Sequence, residues 1–332
     1  MSRPAAVIVL AAGQGTRMKS ALPKVVHPLS GLSMIGHALR AAHGLDPQHL
    51  VAVVRHQRDV VAAEIERVLP SAIIADQDEI PGTGRAVQCG LEALDAAVEP
   101  VSGTIVVTYG DVPLLSTDTL SELVATHEGA GHAVTVLTSR VEDPTGYGRI
   151  VRDLLGHVSR IVEQKDADPE TLRFDEINTG ILVCPTRPLK QWLTALKNDN
   201  AQGEYYLTDM VGLYVSQGEP VAAVHVDDYK EALGVNSRSE LAVATRIMQE
   251  RINEHWMSQG VTMLDPTSVW IGPEVTLGMD TEILPQTMLY GKTSIGENCV
   301  VGPNTRLTDT IVGNDAVVDE TVAINAQVDA FA

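Results

Sequence analysis

The sequence predicts an α/β chain in two parts: a doubly wound, mostly parallel sheet, then a connecting helix that leads into a short parallel β-helix. Three observations carry that reading. Short β-branched runs alternate with helix-like segments through about Asn236, a capped helical pattern follows, and beyond Gly260 aliphatic residues recur every six positions.

The strand-like runs cover residues 7–10, 50–54, 72–75, 104–108 and 133–137. Their unbroken apolar character suits strands buried on both faces. Between them lie amphipathic stretches: Val61, Ile65, Val68 and Leu69 form an apolar stripe edged by Val60, Glu64 and Arg67, and residues 85–97 read similarly. Such alternation puts helices on both faces of a parallel sheet, with the ligand crevice at the carboxyl ends of the strands. The loops just after strands are therefore the first place to look for chemistry.

Ser237 and Glu240 have capping-box spacing, and Leu241, Ala244, Met248, Ile252 and Trp256 recur at helical spacing until Gly260. After that the period is neither 2 nor 3.6. Ile271, Leu277, Ile283, Leu289, Ile295, Val301 and Leu307 follow one another at intervals of six. Four residues after each comes a small or β-branched residue: Val275, Thr281, Thr287, Thr293, Cys299, Thr305 and Ile311. The register is expected to slip by one at Val312 and resume at Val318 and Ile324, with Ala316, Val322 and Val328 as their small partners. Three hexapeptides make one coil of a parallel β-helix, so these repeats amount to roughly three coils. The expected boundaries are 1–236 for the sheet domain, 237–260 for the helix and 261–332 for the coils. Residues 329–332 stop in mid-pattern, so a longer, truncated repeat array is expected.

A length of 332 residues fits two domains. Against 43 acidic residues stand 24 Lys and Arg, a net charge of −19, which argues against nonspecific binding to nucleic acid or anionic membrane. An anionic substrate must then meet local positive charge. Cys89, Cys184 and Cys299 form no CxxC or disulfide-like pattern, as suits a reducing cytoplasm. The apolar run at residues 5–12 is too short to span a bilayer. A soluble cytoplasmic protein is expected.

Directly after the first strand comes Leu10-Ala11-Ala12-Gly13-Gln14-Gly15-Thr16-Arg17-Met18. Backbone amides of such a turn can approach a phosphate closely, because glycine lacks Cβ. Two common phosphate motifs fail here on a single residue. Met18 stands where the third glycine of GxGxxG belongs, and it precedes Lys19-Ser20 where a P-loop needs glycine.

This run, with Leu22-Pro23-Lys24-Val25 after it, resembles the signature of the sugar-nucleotide pyrophosphorylases. Further matches follow in order: Gln77 with Gly82-Thr83-Gly84, Tyr109-Gly110-Asp111, Thr145-Gly146-Tyr147-Gly148-Arg149, Ile161-Val162-Glu163, Asn178-Thr179-Gly180, residues 200–209, and Gly234-Val235-Asn236. Each is weak alone; their order ahead of a hexapeptide β-helix is specific. Within that superfamily the chain most resembles the bacterial bifunctional N-acetylglucosamine-1-phosphate uridyltransferase/glucosamine-1-phosphate acetyltransferases. The resemblance implies a Rossmann-like nucleotidyltransferase domain and a left-handed β-helix. It also implies Mg2+-dependent reaction of UTP with N-acetylglucosamine 1-phosphate, giving UDP-N-acetylglucosamine and pyrophosphate for cell-wall precursor synthesis.

The resemblance further implies a role for each matching residue. Arg17 and Lys24 are the catalytic cations, Arg17 toward the triphosphate and Lys24 toward the reacting phosphate. Such a reaction rests on positioning and charge, with no covalent protein nucleophile needed. The nucleotide is held by Leu10, Ala11, Ala12, Gly13, Lys24, Gln77, Gly82, Thr83, Tyr109 and Asp111. A Gln amide offers the donor and acceptor that the imide edge of uracil requires. The sugar falls to Gly148, Glu163 and Asn178, with Tyr206 and Thr208 nearer the N-acetyl group. Asp111 ends a buried strand, a natural position for a hard oxygen ligand, and by resemblance it shares Mg2+ with Asn236. Plainer roles stay open: Asp111 as a turn cap, Asn236 as a helix N-cap, Glu163 paired with Lys165, Tyr206 in core packing. Removing Asp111 is expected to strand no buried partner.

The ten histidines show no metal-binding spacing: His127 and His132 are five apart, and no HExxH occurs. In the resembling enzymes the acetyltransferase site lies in later coils, so no acetyl transfer is expected of this chain. A glucose-1-phosphate uridylyl- or adenylyltransferase and a catalytically dead trimeric scaffold are the alternative readings. A homotrimer is expected through the β-helix and the helix bearing Met248, Trp256 and Met257.

Overall fold

The computed structural model describes residues 3–98 and 100–332. The chain divides into two units. The first comprises the residues up to His27 together with Met34–Asn236, and the second comprises Pro28–Ser33 and Ser237–Ala332.

In chain order the strands up to the long helix are β1 (Ala6–Leu10), β2 (Pro28–Leu29), β3 (Leu32–Ser33), β4 (His49–Val54), β5 (Ile73–Asp76), β6 (Thr104–Tyr109), β7 (Val134–Arg140), β8 (Gly148–Arg152), β9 (Val158–Val162), β10 (Glu176–Pro185) and β11 (Val221–His225). The helices are α1 (Met34–Gly44), α2 (Arg58–Val68), α3 (Thr83–Ala97), α4 (Thr117–Ala130), α5 (Thr186–Leu193), α6 (Asp209–Ser216) and α7 (Arg238–Ser258). The first unit is built on a nine-stranded sheet whose main order is β11-β7-β10-β6-β1-β4-β5. The five strands read from sequence are all present. β1 pairs in parallel with β4 and β6, β4 with β5, and β11 with β7.

Strand β10 runs antiparallel to β6, β7 and β8, so the sheet is mixed on one side. Sequence reading missed β8 to β11; Arg149, Arg152 and Arg160 interrupt the apolar pattern of β8 and β9, and Glu176 opens β10. Along β1 the pleat sends Ala6, Ile8 and Leu10 into one core and Val7 and Val9 into the other. Residues of α3, α5 and α6 fill the first core, and those of α1, α2 and α4 fill the second. That double layer is the doubly wound architecture.

In the second unit, α7 begins with the expected capping box: Ser237 Oγ accepts from Glu240 N at 3.2 Å, and Glu240 Oε2 accepts from Ser237 N at 3.1 Å. Beyond α7 the unit is a left-handed β-helix of short strands in three four-stranded parallel sheets, and the β2-β3 hairpin completes it. Ile271, Ile283, Leu289, Val301 and Leu307 are fully buried, and Thr281, Thr287, Thr293 and Cys299 fill the slots between them.

The register departs from expectation at the last coils. Ile311 faces outward at 56% exposure, and Thr310, buried, takes the interior slot. Val322 and Ile324 also face outward, and Ala323 pairs with Leu307 and turns inward. Coils start at 18 residues between paired positions and shorten to 16, as Ile271↔Leu289 and Leu307↔Ala323 show. A side chain one place off in a strand points to the opposite face, so each lost residue moves the interior position by one.

Candidate active site

The pairing of the sheet creates the site. Leu10 lies beside Val53 and Tyr109, so three loops leave the sheet at one edge. Ala11 N donates to Val53 O, and Gly110 N to Leu10 O, at 2.8 and 2.9 Å. The glycine turn, the loop after Val54 and the loop after Tyr109 are thereby tied together. Gly15 closes the turn in the left-handed region, φ 64°, where a Cβ would stand 2.4 Å from the Cβ of Lys24. No larger residue leaves room for Lys24 there.

All ten residues assigned to nucleotide binding line one pocket of about 420 Å3. Gln77 Nε2 donates to the carbonyls of Ile80 and Gly82, at 3.0 and 3.3 Å, which fixes its side chain at the rim. Gly82 opens α3 with φ 121°, and a Cβ there would lie 2.4 Å from backbone atoms of Tyr205. Gly84 N donates to Tyr205 O at 2.8 Å, and Leu207 N donates to Thr83 Oγ1 at 3.0 Å. The Thr83 hydroxyl thus has a structural duty as well as its assigned one. Burial, with Glu163 and Asp111 nearby, pushes the Tyr109 phenol up, so it stays protonated.

The buried ammonium of Lys24 donates to Asp111 Oδ2 and, at 2.8 Å, to Asn236 Oδ1. Residues far apart in sequence thus converge on one point. Val235 N donates to Asp111 O at 2.9 Å, which secures the second half of that convergence. Lys24 is 8% exposed, so removing Asp111 does strand a buried partner. The contrary expectation is corrected, because sequence cannot reveal that Lys24 folds back from its loop.

The sugar-assigned residues form a second group. Thr208 Oγ1 donates to Glu163 Oε1 at 3.0 Å, and Gly148, paired with Asn178, has no side chain to fill the space beside the Glu163 carboxylate. Burial raises the Glu163 carboxyl above its ordinary value, with Thr208 pulling the other way. Tyr206 is buried and accepts from Gln202 Nε2 at 2.7 Å. Arg17 sits exposed on the short turn Thr16–Met18 and is not among the residues lining the pocket.

Sequence reasoning missed Arg55, His56 and Glu204, which also line the pocket. Arg55 and His56 directly follow β4, so the rule that picked out the other loops also marks them. Desolvation, aided by Arg55, lowers the His56 imidazole and keeps it neutral. Arg149 was quoted only as part of a motif. It is 2% exposed and donates to Tyr147 O, holding the turn before Gly148.

A MobA-like NTP transferase domain matches residues 7–179. The chain is 51% identical to the bifunctional protein GlmU of Micrococcus luteus over its whole length, covering 69% of that relative. The chain belongs to the GlmU family. To the bifunctional protein GlmU of Pseudarthrobacter chlorophenolicus it is 52% identical over 96% of this chain and 64% of that one. The corresponding protein of Thermobifida fusca gives 50% over 98% and 67%. The chain thus spans about two thirds of the length of the curated relatives it matches. Family membership makes it a nucleotidyltransferase. Among the described residues, no helix is long and apolar enough to cross a membrane.

Proposed function

We propose that the chain transfers a uridylyl group from UTP to N-acetylglucosamine 1-phosphate, releasing pyrophosphate and forming UDP-N-acetylglucosamine, with Mg2+ as its cofactor. The convergence of Lys24, Asp111 and Asn236 beside the pocket that holds Gln77 and the glycine turn carries this reading.

The metal assignment rests on a fit. Asp111 and Asn236 turn a carboxylate and an amide oxygen toward one positive charge, the Lys24 ammonium, which stands in for a cation there. Hard oxygen donors of this kind suit Mg2+, which commonly takes one or two carboxylates and completes its shell with water and substrate phosphate. Among the described residues no group of three or more His, Cys, Asp or Glu side chains is arranged to hold a metal ion, so two protein donors agree with that mode. When bound, Mg2+ supplies charge neutralisation on the phosphate oxygens.

The rest of the chemistry belongs to side chains and backbone. Amides of residues 11–13 and the Lys24 ammonium hold the triphosphate, Arg17 adds a second cation from the loop, and Gln77 meets the uracil edge. Glu163, Asn178 and the Gly148 backbone take sugar hydroxyls, and Thr208 and Tyr206 flank the N-acetyl group. A phosphate oxygen of the sugar phosphate then attacks the α-phosphorus as the bond to pyrophosphate breaks. Held in line, the two substrates react without a covalent enzyme intermediate.

The assembly proposed is a homotrimer, supported by the outward-facing Ile311, Val317, Val322 and Ile324, which leave apolar surface on each of the three faces of the β-helix. A cytoplasmic setting is supported by three free buried cysteines. The deciding experiment mixes the chain with UTP, Mg2+ and N-acetylglucosamine 1-phosphate and follows pyrophosphate release. Glucose 1-phosphate and ATP serve as competing substrates. Faster turnover with either competitor overturns the substrate assignment.

A further inference from the structure

The second unit holds a pocket of about 620 Å3 between α7 and the segment that runs from Pro266 into Trp270. That volume is on the scale of small-molecule sites, roughly 300–1,000 Å3.

A relay of side-chain amides lines it. Asn253 Nδ2 donates to the carbonyls of Pro266 and Val269, at 2.8 and 3.1 Å, so Asn253 Oδ1 must be an acceptor. Gln249 Nε2 donates to that oxygen at 2.9 Å. Each orientation fixes the next, and the relay ends on Gln249 Oε1, a buried acceptor with no partner among the described residues. The residue is 5% exposed and lines the pocket. Buried acceptors are ordinarily paired, so an orphan beside a pocket points to a missing donor.

The surroundings specify the donor's charge. Glu250, Glu254, Met257 and the Trp270 indole also line the pocket. Helix α7 ends at Ser258, and the carbonyl end of a helix carries negative partial charge. An indole face attracts cations as well. Arg246 lies one turn toward the helix start and leaves the carboxylates in excess.

We propose that this pocket binds a small organic cation, a protonated amine carried on a flat apolar body. The ammonium donates to Gln249 Oε1 between Glu250 and Glu254, and the apolar body packs on Trp270 and Met257. The site is separate from the nucleotide pocket and independent of the reaction proposed for it.

Phenethylammonium, titrated into the full chain with tryptophan fluorescence and thermal unfolding as readouts, is the test. Saturable binding with a Kd of about 1 mM or tighter is expected, with 2-phenylethanol and 3-phenylpropionate at least about tenfold weaker. Glu254→Gln, on the exposed face of the helix, should weaken the ammonium about threefold. Gln249→Leu should abolish binding. Because that change also removes the bond to Asn253, Thr267→Trp, which fills the pocket from its exposed side, must abolish binding too. The proposal is overturned by no saturation at about 10 mM, by equal binding of the propionate, or by binding that survives both Glu254→Gln and Thr267→Trp. Binding that vanishes as the chain self-associates also overturns it, since a second copy would then occupy the pocket.

Discussion

Lys24 Nζ donates to Asn236 Oδ1 at 2.8 Å, joining the loop after the first strand to the last residue of the first unit. The same ammonium holds Asp111, so the two oxygens proposed for the metal are gathered by one buried positive charge.

That arrangement sets the first prediction. Asp111→Ala should abolish uridylyl transfer and, by leaving a buried lysine without its carboxylate, cost roughly 2–4 kcal/mol of stability. Adding Lys24→Met should restore much of the stability and none of the activity. Denaturant unfolding of the two single variants and the double variant measures the coupling; simple additivity would sink the claim of a coupled pair.

Arg17→Ala should slow the chemical step by about 2–4 kcal/mol, with a smaller effect on KM for UTP. Its exposed side chain makes no demand on the fold, so the unfolding temperature should stay put. A change in KM with kcat unaltered would make Arg17 a ground-state binder.

Glu163 makes a prediction with a sign. Its carboxyl is raised, mainly by burial, so it holds its proton more tightly folded than unfolded. Such a group adds stability that is full below its ordinary pKa and is lost as pH rises through the folded value. At neutral pH the ionised form is therefore a cost. Glu163→Gln should melt at an equal or higher temperature than the parent at pH 7, and the gap should close in acid. Meanwhile KM for the sugar phosphate should rise. A variant less stable at pH 7 contradicts the argument.

Gly82→Ala places a Cβ against the Tyr205 backbone at a dihedral that L residues avoid. A loss of about 1–3 kcal/mol is expected, along with weaker UTP binding, since Gln77 takes its orientation from the Gly82 carbonyl. Calorimetric titration with UTP checks the second half.

The homotrimer is tested by sedimentation equilibrium. A mass near 35.5 kDa at micromolar concentration means a monomer; about three times that value supports the trimer. Ile311→Glu, at one of the exposed apolar positions of the β-helix, should shift the equilibrium toward monomer.

What was legible in the sequence was whatever repeats or sits at a strand end. The six-residue period marked interior positions such as Ile283 and Leu289 because each slot of a coil accepts a narrow range of shapes. The strand-end rule found Asp111 and the glycine turn. Contacts that depend on where a long side chain folds were not legible: Lys24 turning inward, or Arg149 buried against a carbonyl. The late register failed for a related reason, since Ile311, Val322 and Ile324 look as apolar as any interior residue. The pairing of Leu307 with Ala323 turns Val322 and Ile324 outward, and that of Ile295 with Val312 turns Ile311 outward.

The hairpin of β2 and β3 belongs to the second unit although its residues precede α1. Leu29 within it is fully buried, and Ser30 Oγ donates to the Thr245 carbonyl on α7 at 3.4 Å. The unit is therefore encoded in two separate stretches of the gene. A single recombination event near codon 237 would transplant the coils without six residues that they pack with. Exchange of this module between relatives must carry both stretches, or else find a host whose own hairpin matches.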